Sequence, residues 1–371
     1  MMDKGELGGA MPEWCAVIGR RGADLARIVA IVVATFAVGL ASGYIGRFIG
    51  LPLPFILGPL FVIAACALAG APVQAVRRAR PLGQFVTGAA VGTQFTPTVV
   101  LKLAALLPLI AGTALLSIVV CAIASVLLMK LIDIDAKSAF FATMPAGAAE
   151  MANIAARYGG AIEPITVAQT MRVALTVSAA PFIVTYFSQE GALIQVGQAE
   201  LLSWFSFAEL VVTALVGGAI FAFARFPNGW FLGALIGSAL LGSLGVVQGR
   251  LPDMLLIVAQ VVIGCSLGAQ FRHEFLTRLF HTMMASMAAV LFSGFTLALA
   301  AALTAYLLGF PVPAMVLAFA PAGMAEMTLT GKVLGLDAAL IASFHVLRIV
   351  MVLTLCIPAF QLFQRLMASR P

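Results

Sequence analysis

Apolar residues dominate long stretches of this chain, and short polar segments separate them. Stretches such as 28–46, 99–128 and 280–308 are long enough to cross a bilayer, which takes about 20 apolar residues in a helix. The pattern predicts the same order of segments in each half. The first half gives 28–48, 54–72, 81–96, 99–130, a broken element 136–158 and 162–187. The second half gives 206–224, 229–248, 251–271, 277–308, 312–334 and 337–364.

Composition supports a membrane location for these segments. Of the residues, 62% are hydrophobic and 10% are charged, and the mean hydropathy is +1.10. A soluble domain needs about a quarter of its residues charged to cover its surface. The chain is therefore predicted to be an all-α polytopic membrane protein. Its predicted parts are a cytoplasmic amphipathic lead-in (1–27), a first membrane repeat (28–190), a periplasmic connector (191–205), a second repeat (206–365) and a cytoplasmic tail (366–371).

A sequence duplication underlies the two repeats. Residues 145–172 read PAGAAEMANIAARYGGAIEPITVAQTMR, and residues 321–348 read PAGMAEMTLTGKVLGLDAALIASFHVLR, which aligns them without a gap at an offset of 176. Further upstream, the same offset matches Gln84, Gly88, Gly92, Gln94 and Phe95 with Gln260, Gly264, Gly268, Gln270 and Phe271. The whole membrane core is thus predicted to be two homologous repeats.

The orientation of the two repeats depends on the broken element. If it spans the membrane, each repeat has six crossings and the repeats are parallel. If it enters and returns, each has five crossings and the repeats are inverted. With Arg172 and Arg348 left out as intramembrane residues, the inverted arrangement places 15 Lys and Arg residues inside and only Arg47, Lys102, Arg250 and Lys332 outside. The parallel arrangement gives 12 inside and 7 outside, so the positive-inside rule favours inverted repeats.

The repeated motif places helix-breaking residues and an acid inside an apolar segment. Pro145 and Gly147, like Pro321 and Gly323, are expected to interrupt the helix, because proline removes a hydrogen bond and glycine permits a turn. Glu150 and Glu326 then fall in the first turn of the next half-helix, where the helix dipole favours a negative charge. An ionisable group at this depth is costly and typical of a substrate or proton path. A solvated helix start near the interface is the alternative.

Other polar residues accompany each break. Arg172 and Arg348 lie deep in the next apolar segment, where they are expected either to pair with Glu150 and Glu326 or to bind an anionic substrate. The remaining candidates for ion or substrate binding are Gln94, Gln270, Asn153 and His345. For the glutamines, a polar helix end is an equal alternative, and for His345 a satisfied buried polar group is the more ordinary interpretation.

Charge and cysteine content add little chemistry. The net charge of +6 comes from Lys and Arg in short loops, without the interleaved aromatic residues of a nucleic-acid surface, so no direct binding to nucleic acid is expected. The five cysteines are scattered without metal-site or disulfide spacing. No metal site and no cofactor is predicted.

The repeated PAG-x-AEM box and its downstream arginine, over residues 30–365, resemble the AbrB-duplication family of bacterial inner-membrane proteins. The box is matched at Pro145–Met151 and Pro321–Met327, with Ala146 and Ala322 where a second glycine often stands. The family carries two legacy labels, ammonia monooxygenase and regulator of gene expression. The oxygenase label implies clustered metal ligands, but this sequence has only three dispersed histidines, His273, His281 and His345, so no enzymatic activity is expected.

The sequence as a whole favours a secondary transporter or exporter of a small solute, for which the arginines favour an anion. Inverted repeats with interrupted helices are the recurring plan of such proteins. The alternative is a membrane-embedded regulator that changes gene expression indirectly, through a partner. The expected location is the bacterial inner membrane with both termini in the cytoplasm. The expected partners are the lipid bilayer and the transported solute, and a homo-oligomer is compatible with the sequence.

Overall fold

The computed structural model describes residues 13–75, 79–187, 201–247 and 249–368. The predicted all-α fold is confirmed. The first half contains α1 (Glu13–Phe48), α2 (Pro54–Leu68), α3 (Ala79–Gly92), α4 (Pro97–Ala105), α5 (Leu107–Leu131), α6 (Ala136–Thr143), α7 (Ala148–Arg157) and α8 (Ile162–Phe187). The second contains α9 (Trp204–Phe223), α10 (Gly229–Ser243), α11 (Asp253–Gly268), α12 (Glu274–Thr277), α13 (Phe280–Leu308), α14 (Val312–Phe319), α15 (Met324–Val333) and α16 (Ala338–Ala368).

Within the described part of the chain, six helices are long and apolar enough to span a membrane, so the protein is a multi-pass membrane protein. The spans are Ala26–Phe48, Leu107–Leu131, Ile162–Tyr186, Trp204–Phe223, Phe280–Leu308 and Ala338–Met367. Three shorter apolar helices, α2, α10 and α11, accompany them. Much of the predicted lead-in, connector and tail lies outside the described residues. The part of the lead-in that is described, from Glu13 onward, is continuous with α1.

The helices form two bundles, and each bundle takes helices from both halves of the chain. In the first, which we call the support bundle, α1, α2 and α3 pack with α9, α10 and α11. In the second, the hairpin bundle, α5 to α8 pack with α13 to α16. The short helices α4 and α12 connect the two. Direct packing between the bundles is confined to a few helix pairs, chiefly α15 against α3, with α8 and α16 contributing smaller contacts.

The broken element of the first half enters the hairpin bundle and returns to the side from which it came. The backbone N–H of Ala161, just after α7, donates to Ser138 Oγ at the start of α6 over 2.7 Å. Nearby, the rings of Phe141 and Tyr158 stack with centroids 6.1 Å apart. A spanning element would separate these ends by the thickness of the membrane. Helices α6 and α7 therefore form a re-entrant hairpin.

The second half contains the matching hairpin, formed by α14 and α15. Residues before α14 and after α15 line the same surface cavity, with Phe310 and Pro311 on one side and Leu336 on the other. Within the hairpin, Gly331 of α15 faces Leu317 of α14. The two hairpins have arms of equal length, 8 residues followed by 10. With both hairpins re-entrant, each half is expected to cross the membrane five times, the count on which the predicted inversion depends.

Close backbone packing in the support bundle yields the first prediction. A Cβ atom at Gly233 of α10 would collide with the backbone of Gly217 in α9. The two helices can therefore pack this closely only because the contact position is a glycine. Gly233→Val should lower the free energy of unfolding by about 1–3 kcal/mol, as expected of overpacking. Thermal unfolding of the purified protein measures this. In Gly112→Ala, where a Cβ meets open space, the unfolding temperature should stay near that of the parent chain.

Candidate functional site

Each hairpin turns at a proline, and the turn is built in the same way in both halves. Met144 and Ala320, which precede Pro145 and Pro321, have ψ angles of 135° and 131°. Proline disfavours helical geometry in the residue before it, so α6 and α14 end at these positions. The backbone N–H of Ala146 then donates to Met144, and that of Ala322 donates to Ala320, over 2.9 and 2.8 Å. The predicted helix breaks are thus present at residues 144–147 and 320–323.

Two buried arginines bind the carbonyl groups at these breaks. The Arg172 guanidinium donates to the carbonyl oxygens of Met144 and Ala146, the latter over 2.6 Å. Arg348 donates in the same way to Ala320 and Ala322, the latter over 2.7 Å. Both side chains are about 95% buried, with exposures of 5% and 4%. Helix ends leave carbonyls without intrahelical partners, and in a membrane those groups have no water to bind. The arginines supply the missing donors.

A second polar residue, one turn before each arginine, adds to this network. The Gln169 amide donates to the carbonyls of Phe141, Ala142 and Met144 at 3.0, 3.2 and 3.1 Å. At the matching position, His345 Nε2 lies 3.0 Å from the Leu317 carbonyl. His345 is thus bound to its own hairpin through Nε2, while its buried Nδ1 has no partner among the described residues. Gln169 was not among the candidates, although its alignment with His345 was a signal for it.

The expected pairing of Glu326 with Arg348 is wrong. Because Arg348 is committed to carbonyls of its own hairpin, Glu326 takes a different cation, Arg80 of α3, with Arg80 Nη2 2.6 Å from Glu326 Oε1. Glu326 is 1% exposed and Arg80 is 31% exposed. This ion pair connects the hairpin bundle to the support bundle. Sequence reasoning missed Arg80 because it lies 246 residues away and because its apparent place was a basic loop.

Glu150 has no such partner, and this makes the two hairpins unequal. The residue that matches Arg80 in the second half is Leu256, so the support bundle offers no cation at the corresponding point. Glu150 is half-buried and forms no ion pair within the described part of the chain, so the expected pair with Arg172 is also absent there. Along α7 only Met151 and Ala155 are buried, whereas α15 is buried from Met324 to Gly331. Helix α15 is thus packed against α3, while the polar face of α7 is open.

The glycines of the motif leave room for the glutamate side chains. Gly147 and Gly323 have ordinary extended backbones, with φ of −67° and −66°, which any residue can adopt. A Cβ atom at either position would, however, collide with the carboxylate of Glu150 or Glu326. Each carboxylate therefore lies over the first residue of its half-helix, where the helix dipole favours negative charge.

The remaining predicted residues lie at different places. Asn153 is exposed on the open face of α7, one turn from Glu150. Gln94 lines a cavity between the bundles. Gln270 donates to the carbonyl of Ser266 in its own helix over 3.3 Å, as a polar helix end would. Among the described residues, no group of three His, Cys, Asp or Glu side chains is placed to hold a metal ion.

Each hairpin contacts the arginine-bearing helix of the other half. Helix α6 packs against α16, and α14 packs against α8. The structure therefore encloses both breaks in one bundle, whereas Glu326 lies at the contact with the support bundle and Glu150 lies on the open face of α7.

Comparison with known proteins now assigns the chain to a family. The model of the family described as "Transition state regulatory protein AbrB" matches residues 55–364, which include both hairpins. The chain belongs to the AbrB family. The resemblance inferred from the repeated PAG-x-AEM box is confirmed.

Two curated relatives of this AbrB-family chain are similar over much of their length. "Uncharacterized protein YhjN" of Bacillus subtilis (strain 168) is 27% identical over 364 residues, covering 89% of this chain and 92% of the relative. "Putative regulator AbrB" of Escherichia coli (strain K12) is 26% identical over 244 residues, covering 64% and 69%. No solved structure matches the chain.

The arginine network predicts a specific loss of stability. Arg172→Met and Arg348→Met each keep an apolar stem but leave one carbonyl, that of Ala146 or Ala322, without a donor, at a cost of about 1–3 kcal/mol for the orphaned group. Both variants should unfold at a markedly lower temperature than the parent, or fail to accumulate in the membrane. Arg365→Met is the matched control, since Arg365 is exposed on the same helix as Arg348. Equal stability of all three variants would contradict the assigned role.

Proposed function

We propose that this AbrB-family protein is a secondary transporter of the bacterial inner membrane, in which the hairpin bundle moves against the support bundle. The observation that carries the proposal is the pair of broken helix hairpins within one bundle, each packed against the arginine-bearing helix of the other half. Broken backbone at membrane depth is tolerated only where it is buried or lines a cavity, and it recurs at the ion and substrate sites of transporters. Both termini are proposed to be cytoplasmic, and the halves inverted.

The unequal environments of the two hairpins support a moving bundle. Helix α15 is packed on α3, while its counterpart α7 has its polar face open. If the halves are inverted, these two interfaces face opposite sides of the membrane. In alternating access, each end state has one of these interfaces closed and the other open, and this structure has that form. The opposite state would close α7 against α11 and release α15 from α3.

The ion pair between Arg80 and Glu326 is then the contact that must break in each cycle. A buried charge left without its partner is costly, so the bundle can move only if Glu326 is neutralised or given another cation. Binding of a proton or a metal cation to the carboxylate would do this. Glu326 and Glu150 are therefore proposed as the coupling groups, and the arginines at the breaks as structural supports. Arg172 and Arg348 consequently no longer favour an anionic solute.

A second candidate function comes from the printed name of the relative from Escherichia coli, "Putative regulator AbrB". In that case the protein would change gene expression through a partner and would transport nothing. The phenotype would then depend on the loops 73–80 and 272–278 more than on the buried acids. Charge swaps at Arg272 and Arg278 of the second loop, compared with Glu326→Gln in one phenotypic assay, separate the two functions.

The transporter proposal predicts a flux that depends on both glutamates. Purified protein in proteoliposomes, exposed to a panel of ionic and neutral solutes, should give a protein-dependent current or internal pH change for at least one of them. Glu326→Gln and Glu150→Gln should reduce that flux by about tenfold or more, as for loss of a charged contact. Glu163→Gln, an exposed acid at the start of α8, should leave it intact. No flux for any solute, or unchanged flux when Glu150 and Glu326 are both replaced, would remove the proposal.

A further inference from the structure

A cavity of about 400 Å³ lies between the two bundles, away from the helix breaks. Its walls come from α1, α2, α11 and the end of α3 in the support bundle, and from the last turn of α15 in the hairpin bundle. The polar and charged residues that line it are Arg47, Gln94, Arg250, Asp253, Gln260 and Lys332. Apolar side chains, including Phe55 and Ile257, complete it.

The charges in this cavity are unusual for their side of the membrane. The inverted arrangement leaves only four Lys and Arg residues outside, and three of them, Arg47, Arg250 and Lys332, line this one cavity. Cations on the outer side work against the orientation of a membrane protein. Their collection at one cavity therefore indicates a role beyond topology. Arg250 is bonded to Asp253 over 2.8 and 2.9 Å, so Arg47 and Lys332 supply the positive charge in excess.

Gln260 provides an unused hydrogen-bonding group in the cavity wall. Its side chain is 5% exposed, yet it forms no hydrogen bond within the described residues. The matching residue of the first half, Gln84, donates to Asn228 over 3.3 Å. Asn228 is the left-handed residue directly before α10, and the corresponding residue before α2 is Leu53, whose side chain cannot accept a hydrogen bond. The amide of Gln260 is therefore available to a molecule bound in the cavity.

Further features of the cavity favour a ligand that carries a negative charge and has an apolar body. The first turn of α2, at Pro54 and Phe55, faces the cavity, and the start of a helix favours negative charge. Lys332 already donates to the carbonyl of Ala90 over 2.7 Å, which holds its ammonium group in place with further N–H groups to donate. The apolar walls favour a ligand with a hydrocarbon body over a bare inorganic ion.

We propose that this cavity binds a small organic anion, with Lys332, Arg47 and Gln260 holding its carboxylate. The inference rests on the proposed transport function, for which it names the substrate class and an outer subsite. Because Lys332 belongs to α15 and the other two belong to the support bundle, the ligand would contact both bundles. Binding would thereby respond to their relative position.

Equilibrium binding to the full-length protein in lipid nanodiscs tests this. Benzoate, hexanoate and succinate serve as organic anions, benzamide as the uncharged match for benzoate, and sulfate and chloride as inorganic anions. At least one organic anion should bind, and more tightly than the inorganic ions. If that anion is benzoate, benzamide should bind about tenfold more weakly or not at all. No binding by the three organic anions, binding of benzamide equal to that of benzoate, or sulfate or chloride binding as tightly as the best organic anion, would overturn the proposal.

Variants assign the binding to this cavity. Lys332→Gln and Gln260→Leu should each raise the dissociation constant about tenfold or more. Gln260→Leu removes a group that has no protein partner, so its fold should persist. Lys102→Gln is the matched control, because Lys102 is the outer cation that does not line this cavity. Equal affinity in all three variants would show that the anion binds elsewhere. The measurement needs no flux, so its failure and a failure of transport in proteoliposomes are distinguishable.

Discussion

A helix that ends inside a bilayer leaves carbonyl groups that have neither an intrahelical partner nor water, and this protein contains two such ends. Arg172 and Arg348 satisfy those groups. Much of the arrangement depends on this bond, because without a buried donor the chain could not turn at Pro145 and Pro321. The two arginines in turn each bind two carbonyl oxygens at this depth. They must be enclosed by protein, which explains why both hairpins lie inside one bundle.

Because the two arginines bind backbone carbonyls, they are not available to the two glutamates. The surroundings of Glu326 and Glu150 therefore differ. Glu326 turns outward from its hairpin to Arg80, across the contact between the two bundles. Glu150 occupies the equivalent position in the first half, and the residue that corresponds to Arg80 for it is an apolar leucine, Leu256. The chemistry of the protein is therefore proposed to lie at the surface between the bundles, where a change in the charge of one carboxylate alters how strongly they adhere. The cavity lined by Lys332 and Gln260 lies on the same surface.

The sequence predicted the helical membrane fold and both breaks, because proline within an apolar run has a direct effect on local backbone geometry. It also singled out Arg172 and Arg348, since an arginine so deep in an apolar segment must have a partner. Of the two roles that it offered, the pairing with glutamates is absent, because both arginines bind backbone carbonyls, which a residue pattern does not show. Arg80 was missed for a related reason: its contact with Glu326 depends on packing between halves. The inverted orientation remains a prediction from loop charges.

The two hairpins are proposed to enter the membrane from opposite sides, and cysteine accessibility tests this arrangement. Tyr158→Cys and Leu334→Cys, each in a background without the five native cysteines, place a thiol at the open end of each hairpin. An impermeant maleimide is applied to intact cells and to inverted vesicles. We predict that position 158 is labelled only from the cytoplasm and position 334 only from the periplasm. Labelling of both positions from the same side would make the halves parallel and contradict the account.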